Sequence, residues 1–259
     1  MIYLNGQPLN VTVFPDKTSQ VWKLPEPLTG SRSNPAKILW QYSNEAEVMQ
    51  LFQLLHLFDT LAVQSEIEIT YLPYARQDKP IANDSCFALK TFFKLFNTFT
   101  FVNHLIIHDP HNWDAVRPSC SAEAIYPVKK VEEVAQEMDK NGAFTIFCYP
   151  DKGALTKYSK VYSTCFRPHI YGEKVRDQLS GNILSYKVIG DCAGKNVLIV
   201  DDICDGGATF KLLAKDLLAA GAKEVNLFVT HGIFSRGVKT LHESGIKRVF
   251  TRDGEKSEA

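Results

Sequence analysis

The run from Val197 to Phe210 restricts the fold of this 259-residue chain more than any other segment. Val197-Leu198-Ile199-Val200 is a short unbroken apolar stretch, the form expected of a strand in a parallel sheet covered on both faces. Two adjacent carboxylates, Asp201 and Asp202, end it. A turn of small residues follows at Asp205-Gly206-Gly207-Ala208, and Thr209–Ala220 places Phe210, Leu213, Ala214 and Leu217 on one face of a helix. A strand, turn and helix in this order belong to an α/β sheet whose sites lie at the strand carboxyl ends. Free N–H groups at such a helix start favour an anion, above all a phosphate, and the Thr209 hydroxyl adds a donor. The paired acids repel phosphate but suit vicinal hydroxyls or Mg²⁺, so the segment reads as a site for a phosphorylated sugar. The plain alternative is an ordinary turn with solvated acids.

The same alternation runs along the chain. Glu45–Val63 has helical spacing, with Asn44 and Glu47 set as a capping box. Ile67–Leu72 reads as a strand, Tyr74–Pro80 as a polar loop and Ser85–Phe96 as a helix. Phe101–Ile107 reads as the next strand, ending in a loop with His108, Asp109, His111, Asn112 and Asp114. A second cycle begins near Pro127. It comprises a helix over Val128–Asp139, a buried strand over Phe144–Tyr149, a turn at Pro150–Gly153, a loop or hairpin over Tyr171–Asn182 and a strand over Val225–Val229. The expected architecture is α/β, two similar domains with largely parallel central sheets, spanning 1–126 and 127–259.

Lys and Arg number 29, as do Asp and Glu, so the formal charge is zero. That balance argues against nucleic acid or an anionic membrane as the partner. No apolar run approaches the ~18 residues of a membrane span, and the N-terminus lacks the layout of a signal peptide. Six cysteines without a C-x-x-C pair read as reduced thiols, and the expected location is the cytoplasm.

Several segments carry a family resemblance. The Asp201–Thr209 run resembles the phosphoribosyl-binding loop of the type I phosphoribosyltransferase fold, usually two acids, two spacers and Asp-Thr-Gly-Gly-Thr. Tyr71-Leu72-Pro73-Tyr74-Ala75-Arg76-Gln77-Asp78 is similar to the ATP-site loop of the ribose-phosphate pyrophosphokinases (PRPP synthetases). Asp109-Pro110-His111 resembles their Asp-Leu-His metal site, and Pro150-Asp151-Lys152-Gly153 their Pro-Asp-x-Gly turn. Lys174-Val175-Arg176 is similar to the Lys-x-Arg of a mobile catalytic loop. Thr230-His231-Gly232-Ile233-Phe234-Ser235 matches a Thr-His-x-[IL]-Phe-Ser run. Phe14-Pro15-Asp16 resembles a Phe-x-Asp-Gly-Glu element that reaches the adenine of a neighbouring subunit. All occur in family order.

The resemblance implies transfer of the β,γ-diphosphate of ATP to the C1 hydroxyl of ribose 5-phosphate, giving 5-phosphoribosyl 1-diphosphate and AMP. It implies catalytic roles for Lys174 and Arg176. ATP would be held by Phe14, Asp16, Thr18, Arg76, Gln77, Asp78 and His111. Ribose phosphate would be held by Arg176, Asp201, Asp202, Asp205, Gly206, Gly207, Ala208 and Thr209, and Mg²⁺ by His111 and Asp151. A homodimer or higher homo-oligomer follows from Phe14–Asp16. Plain alternatives stand beside these roles: solvated charges at Lys174 and Arg176, a helix cap at Asp151, a surface residue or a transition-metal partner of His108 at His111. His104 reads as a hydrogen-bonded core residue and Cys204 as packing.

The chain departs from the family pattern in places. Gly206 replaces a threonine hydroxyl, Ala208 stands where φ > 0 is common, and Lys17-Thr18 replaces Gly-Glu. The first strand–helix portion and the tail are short, as in compact bacterial and phage members, which often accompany NAD salvage. The altered turn raises a second acceptor, ADP-ribose or another 5-substituted ribose. From other classes come a catalytically silent PRPP-binding regulatory subunit and, more weakly, a base-transferring phosphoribosyltransferase.

Overall fold

The computed structural model describes residues 1–22, 24, 29–80, 82–117, 121–140, 142–176 and 183–257, with backbone alone for 175, 176 and 183–185. The chain divides into two compact units, Met1–Ile125 and Tyr126–Ala259.

The first unit contains β1 (Ile2–Leu4), β2 (Gln7–Pro8), β3 (Val11–Val13), β4 (Ser19–Val21), β5 (Ala36–Trp40), α1 (Ala46–Leu61), β6 (Ser65–Ile69), α2 (Ala88–Phe96), β7 (Val102–His108), α3 (Trp113–Val116) and β8 (Ala122–Ile125). Its six-stranded sheet runs β2-β1-β5-β6-β7-β8, and β3 and β4 form a separate antiparallel hairpin. Strands β5 to β8 are parallel, with one helix between each pair, while β1 and β2 add an antiparallel edge. Period-two alternation decides which side is covered. Ile67, Ile69, Leu105 and Ile107 join Ile38 and Trp40 in one core with Leu51, Leu54, Leu55 and Phe58 of α1 and Leu89, Phe92, Phe93 and Phe96 of α2. The out-of-phase positions are less buried, and Lys37, Glu66, Glu68, His104 and His108 among them are polar or charged. His108 Nε2 lies 2.7 Å from Glu68 Oε1, and His104 Nε2 lies 3.7 Å from Glu123 Oε2. His104 is therefore not a core residue, because it falls one position off the Leu105–Ile107 phase.

Two local expectations also change. Glu47 does not close a capping box with Asn44. It is buried and accepts from Ser43 N (3.1 Å), Ser43 Oγ (2.6 Å) and Trp40 Nε1 (3.0 Å), while Asn44 Nδ2 donates to Ser43 Oγ. Helix α2 starts at Ala88 rather than Ser85, whose hydroxyl is spent on a turn with the N–H and carbonyl of Ala82, both at 2.8 Å.

The second unit contains α4 (Val128–Asp139), β9 (Thr145–Tyr149), α5 (Lys152–Val161), β10 (His169–Arg176), β11 (Ile183–Ile189), β12 (Asn196–Cys204), α6 (Ala208–Ala219), β13 (Glu224–Gly232), α7 (Lys239–His242), β14 (Ile246–Thr251) and β15 (Gly254–Lys256). The seven-stranded sheet runs β11-β10-β9-β12-β13-β14-β15, parallel from β10 to β14 and antiparallel at both edges. Both faces are covered. Ile146, Val197, Ile199 and Leu227 pack with Phe210, Leu213 and Leu217 of α6. Phe147, Leu198, Val200 and Phe228 pack with Val131, Val134 and Met138 of α4 and Tyr158 of α5. That double burial is why these strands read as continuous apolar runs.

The strand carrying the paired acids is longer than its apolar run. β12 continues through Asp201 and Asp202 to Cys204, with Asp201 opposite Val229 and Ile203 opposite His231. The stretch from Tyr171 supplies the arms of an antiparallel hairpin, β10 and β11; residues 177–182 lie outside the described residues. The chain leaves β9 for β10 on one side and returns to β12 on the other. The carboxyl ends of β9 and β12 thus flank the point where strand order reverses, the place where open α/β sheets hold ligands.

Candidate active site

Asp151, immediately past β9, has extended backbone and caps α5, its Oδ1 accepting from Ala154 N at 3.0 Å. Its Oδ2 accepts from Lys174 Nζ at 2.6 Å. Pairing of Tyr149 with Tyr171 sets that register, bringing the outer half of β10 to the end of β9. Burial pushes the Asp151 carboxyl up, but Lys174 and the N–H groups at the start of α5 outweigh it and hold it below the usual range. The cap expected as the plain alternative is present together with the lysine pair. The side chain of Arg176 lies outside the described residues; its backbone ends β10.

On β12 the two acids differ. Asp202 is 4% exposed and pairs with Lys157 Nζ at 3.2 Å, the ammonium lying 4.7 Å from the centre of the Tyr158 ring. Asp201 is pushed well above the usual carboxylate range, first by burial and then by the charge of Asp202, with Asp151 adding to the effect. Carboxylates such as these are the hard oxygen donors that suit a divalent cation such as Mg²⁺, which uses one or two of them and keeps its waters. Among the described residues no three His, Cys, Asp or Glu side chains gather as a ready cage. His108 is engaged with Glu68, and His111 is exposed on the loop after β7.

Asp205, Gly206, Gly207, Ala208 and Thr209 form the turn into α6. Gly207 occupies the cap position with φ 72°, and a β-carbon there would lie 2.6 Å from Leu241 Cδ2. The left-handed residue is thus a glycine, and Ala208 is the first residue of the helix, so the alanine carries no such strain. Gly207 offers no side-chain acceptor to the first-turn N–H groups, which suits them to an anionic ligand. Burial, then Asp201 and Asp205, pushes the Cys204 thiol up to about 12, which keeps it protonated and fits a packing role.

In the first unit, the loops after β6 and β7 carry Arg76, Gln77, Asp78 and His111. Asn112 ties them together: Nδ2 donates to Asp78 Oδ2 at 2.6 Å, and Oδ1 accepts from Ala115 N at 3.2 Å to cap α3. The Arg76 loop is braced at Tyr74, which has φ 61° and donates its hydroxyl to Glu45 Oε1 at 2.7 Å. Burial and then Glu45 push that hydroxyl up to about 12. Arg76, Gln77 and His111 are exposed. Phe14, Asp16 and Thr18 sit apart from these loops in the chain, at the β3–β4 tip. There Asp16 Oδ1 accepts from Thr18 N (3.0 Å) and Thr18 Oγ1 (2.7 Å), which hold the carboxyl below its usual range. Gln53 of α1 anchors the hairpin, accepting from Val21 N and donating to the Ser19 carbonyl.

Lys157 and Asn112 escape a reading of the sequence as site residues. Lys157 is one of three lysines on α5, and only the fold carries it to Asp202. For Asn112 a signal existed, an asparagine three residues before Ala115 in N-cap spacing.

Residues 124–258 match the phosphoribosyl transferase domain family. The chain is 31% identical over 242 residues to a ribose-phosphate pyrophosphokinase of Pyrococcus abyssi, covering 90% of this chain and 80% of that one. It is 26% identical over 246 residues to a ribose-phosphate pyrophosphokinase of Sulfurisphaera tokodaii, covering 92% and 81%. The fold is that of phosphoribosylpyrophosphate synthetase from Mycobacterium smegmatis, with a TM-score of 0.76 at 22% identity over 94% of this chain and 79% of that structure. With relatives matched over nine-tenths of its length, the chain belongs to the ribose-phosphate pyrophosphokinase family.

Proposed function

We propose that this chain transfers the β,γ-diphosphate of ATP to the C1 hydroxyl of ribose 5-phosphate, forming 5-phosphoribosyl 1-diphosphate and AMP. The observation that carries the reading is the cluster at the β9/β12 reversal, where Lys174–Asp151 and Lys157–Asp202 stand beside the glycine turn into α6. The C1 hydroxyl oxygen attacks the β-phosphorus in line and gives up its proton to solvent, the bond from that phosphorus to the α,β-bridging oxygen breaks, and AMP leaves with the electron pair. Such transfers depend on positioning and on stabilising charge at the phosphoryl oxygens. Lys174, with Arg176, meets that charge. Asp201 and Asp202 orient the ribose hydroxyls, Lys157 holding Asp202 in place. Asp205, Gly206, Gly207, Ala208 and Thr209 take the 5-phosphate. In the first unit Arg76, Gln77, Asp78 and His111 hold ATP, with the adenine met by Phe14, Asp16 and Thr18 of a second copy. Mg²⁺ suits His111 and Asp151, and would neutralise phosphate charge when bound.

AMP release measured with ribose 5-phosphate and, separately, ADP-ribose tests the acceptor: turnover of ADP-ribose alone would overturn the reading. Lys174→Ala separates an enzyme from a silent relative. We expect kcat to fall ~10²–10³-fold. Stability should change by less than ~1 kcal/mol, because the Lys174–Asp151 pair is only partly buried. Exposed Val13, Phe14 and Trp22 on and beside the hairpin support a homodimer or larger homo-oligomer. Light scattering that found a fully active monomer would refute that assembly. No helix among the described residues is long and apolar enough to cross a membrane. Five described cysteines without disulfides support a cytoplasmic setting.

A further inference from the structure

Arg236 stands against the phosphate turn. A β-carbon on Gly206 would lie 3.5 Å from Arg236 Nε and 3.6 Å from its Cδ, so the arginine borders, at ordinary contact distance, the flank a side chain at 206 would take. That flank is where the phosphoribosyl-binding loops this chain resembles carry a threonine hydroxyl. The segment bearing Arg236 is fastened to the turn. Ile233 N and Phe234 N donate to the Cys204 carbonyl at 2.8 and 3.1 Å, and Gly237 N closes a tight turn on the Phe234 carbonyl at 2.8 Å. Leu241, just beyond, fills the space over Gly207. Arg236 is exposed, and among the described residues it has no hydrogen-bond or ion-pair partner.

The charge balance of the turn gives this placement a purpose. Asp205 opens the turn, and Asp202, already paired with Lys157, lies upstream on β12, while position 206 lacks a hydroxyl donor. Backbone N–H groups supply hydrogen bonds but no full positive charge. A guanidinium supplies both, in a fork that matches two phosphate oxygens.

We propose that Arg236 is a phosphate-binding residue of the ribose site, taking the acceptor's 5-phosphate on the flank that Gly206 leaves open and selecting acceptors with a charged 5-substituent. The inference rests on the ribose 5-phosphate reading above. The test is calorimetric titration of ribose 5-phosphate, and separately inorganic phosphate, into the full chain, Arg236→Ala and Arg236→Lys, with kinetics on ribose 5-phosphate and unphosphorylated ribose. Loss of a charge-assisted contact should weaken ribose 5-phosphate binding ~10–100-fold in R236A. KM for ATP and kcat/KM for unphosphorylated ribose should hold steady, and R236K should recover part of the loss. A purely structural role would instead shift all substrates and the melting temperature together. If the unaltered chain binds ribose 5-phosphate and R236A binds it equally well, the arginine assignment is overturned and the ribose reading survives. If phosphate binding depends on Arg236 but ribose 5-phosphate yields no AMP, the assignment stands and the proposed reaction falls. If the unaltered chain binds neither ligand, both fall.

Discussion

Lys17 holds a left-handed backbone, φ 71°, at the β3–β4 tip, the position where the resembling element carries glycine. A side chain there costs ~1–2 kcal/mol, and glycine's extra unfolded-state freedom returns ~0.5–1 kcal/mol of that. Lys17→Gly should therefore raise the unfolding free energy by about 0.5–1 kcal/mol, read from urea midpoints. A variant no more stable than the parent would show that the turn carries no strain at Lys17. Individual residues divide sharply in how far the sequence alone discloses them. Asp151, Lys174 and the Asp201–Thr209 turn are visible because their neighbours in the chain form a pattern. Lys157 is invisible because its partner lies 45 positions away, and Arg236 because its meaning depends on the space beside Gly206.

Among the elements, α4 and β9 pack through Val131, Val134, Met138 and Phe147 and are also bridged by one buried cation. Arg167, whose side chain is 5% exposed, donates Nε and Nη2 to Glu132 at 2.9 Å, Nη2 to Asp139 at 3.0 Å and Nη1 to the Thr145 carbonyl at 3.1 Å. Burial pushes both carboxyls up, but Arg167, joined by Gln136 at Glu132 and by Thr145 at Asp139, outweighs it and leaves both below their usual range. Arg167→Ala leaves these acids without their cation and should cost about 2–4 kcal/mol at neutral pH, somewhat under the figure for fully buried pairs because both acids are partly exposed. The sign of the pH effect follows from the lowered values. The stabilisation is complete above the unfolded carboxylate range, ~4–4.5, and is lost as pH falls through the folded values beneath it. Urea midpoints should thus show a gap between parent and variant that narrows on acidification; an unchanged gap would assign the loss to packing. The bounds of α4 are legible because Val131, Val134, Ala135 and Met138 keep a clean helical period. Helix α5 buries only Ala154 and Tyr158, and β10 is an inner strand with a polar sequence, so neither stands out before tertiary packing is known.

For the whole molecule, fold class is legible because alternating apolar runs and amphipathic segments admit few arrangements. Strand order is not, since neither the antiparallel β11 and β15 edges nor the reversal between β9 and β12 leaves a local signature. The division of the cores has a testable consequence. Hydrophobic residues of Met1–Ile125 gather in one cluster, and those of Tyr126–Ala259 form two more on either face of their own sheet. Among the described residues, each of these clusters is built from one unit. Residues 126–259, produced separately, should accordingly fold with a cooperative thermal transition, as a body with its own core does. This fragment keeps Asp151, Lys174, Asp201, Asp202, the Gly206-Gly207 turn and Arg236 but lacks Arg76, Gln77, Asp78 and His111. It should bind ribose 5-phosphate in calorimetry and release no AMP from ATP, because the groups assigned to the nucleotide are gone. Adding the intact chain carrying Lys174→Ala supplies a competent first unit only in trans, so AMP release from that mixture would require second-unit residues of one chain to serve another. A fragment that melts without cooperativity would refute the separateness of the cores. A folded fragment that ignores ribose 5-phosphate would instead remove the sugar from the second unit.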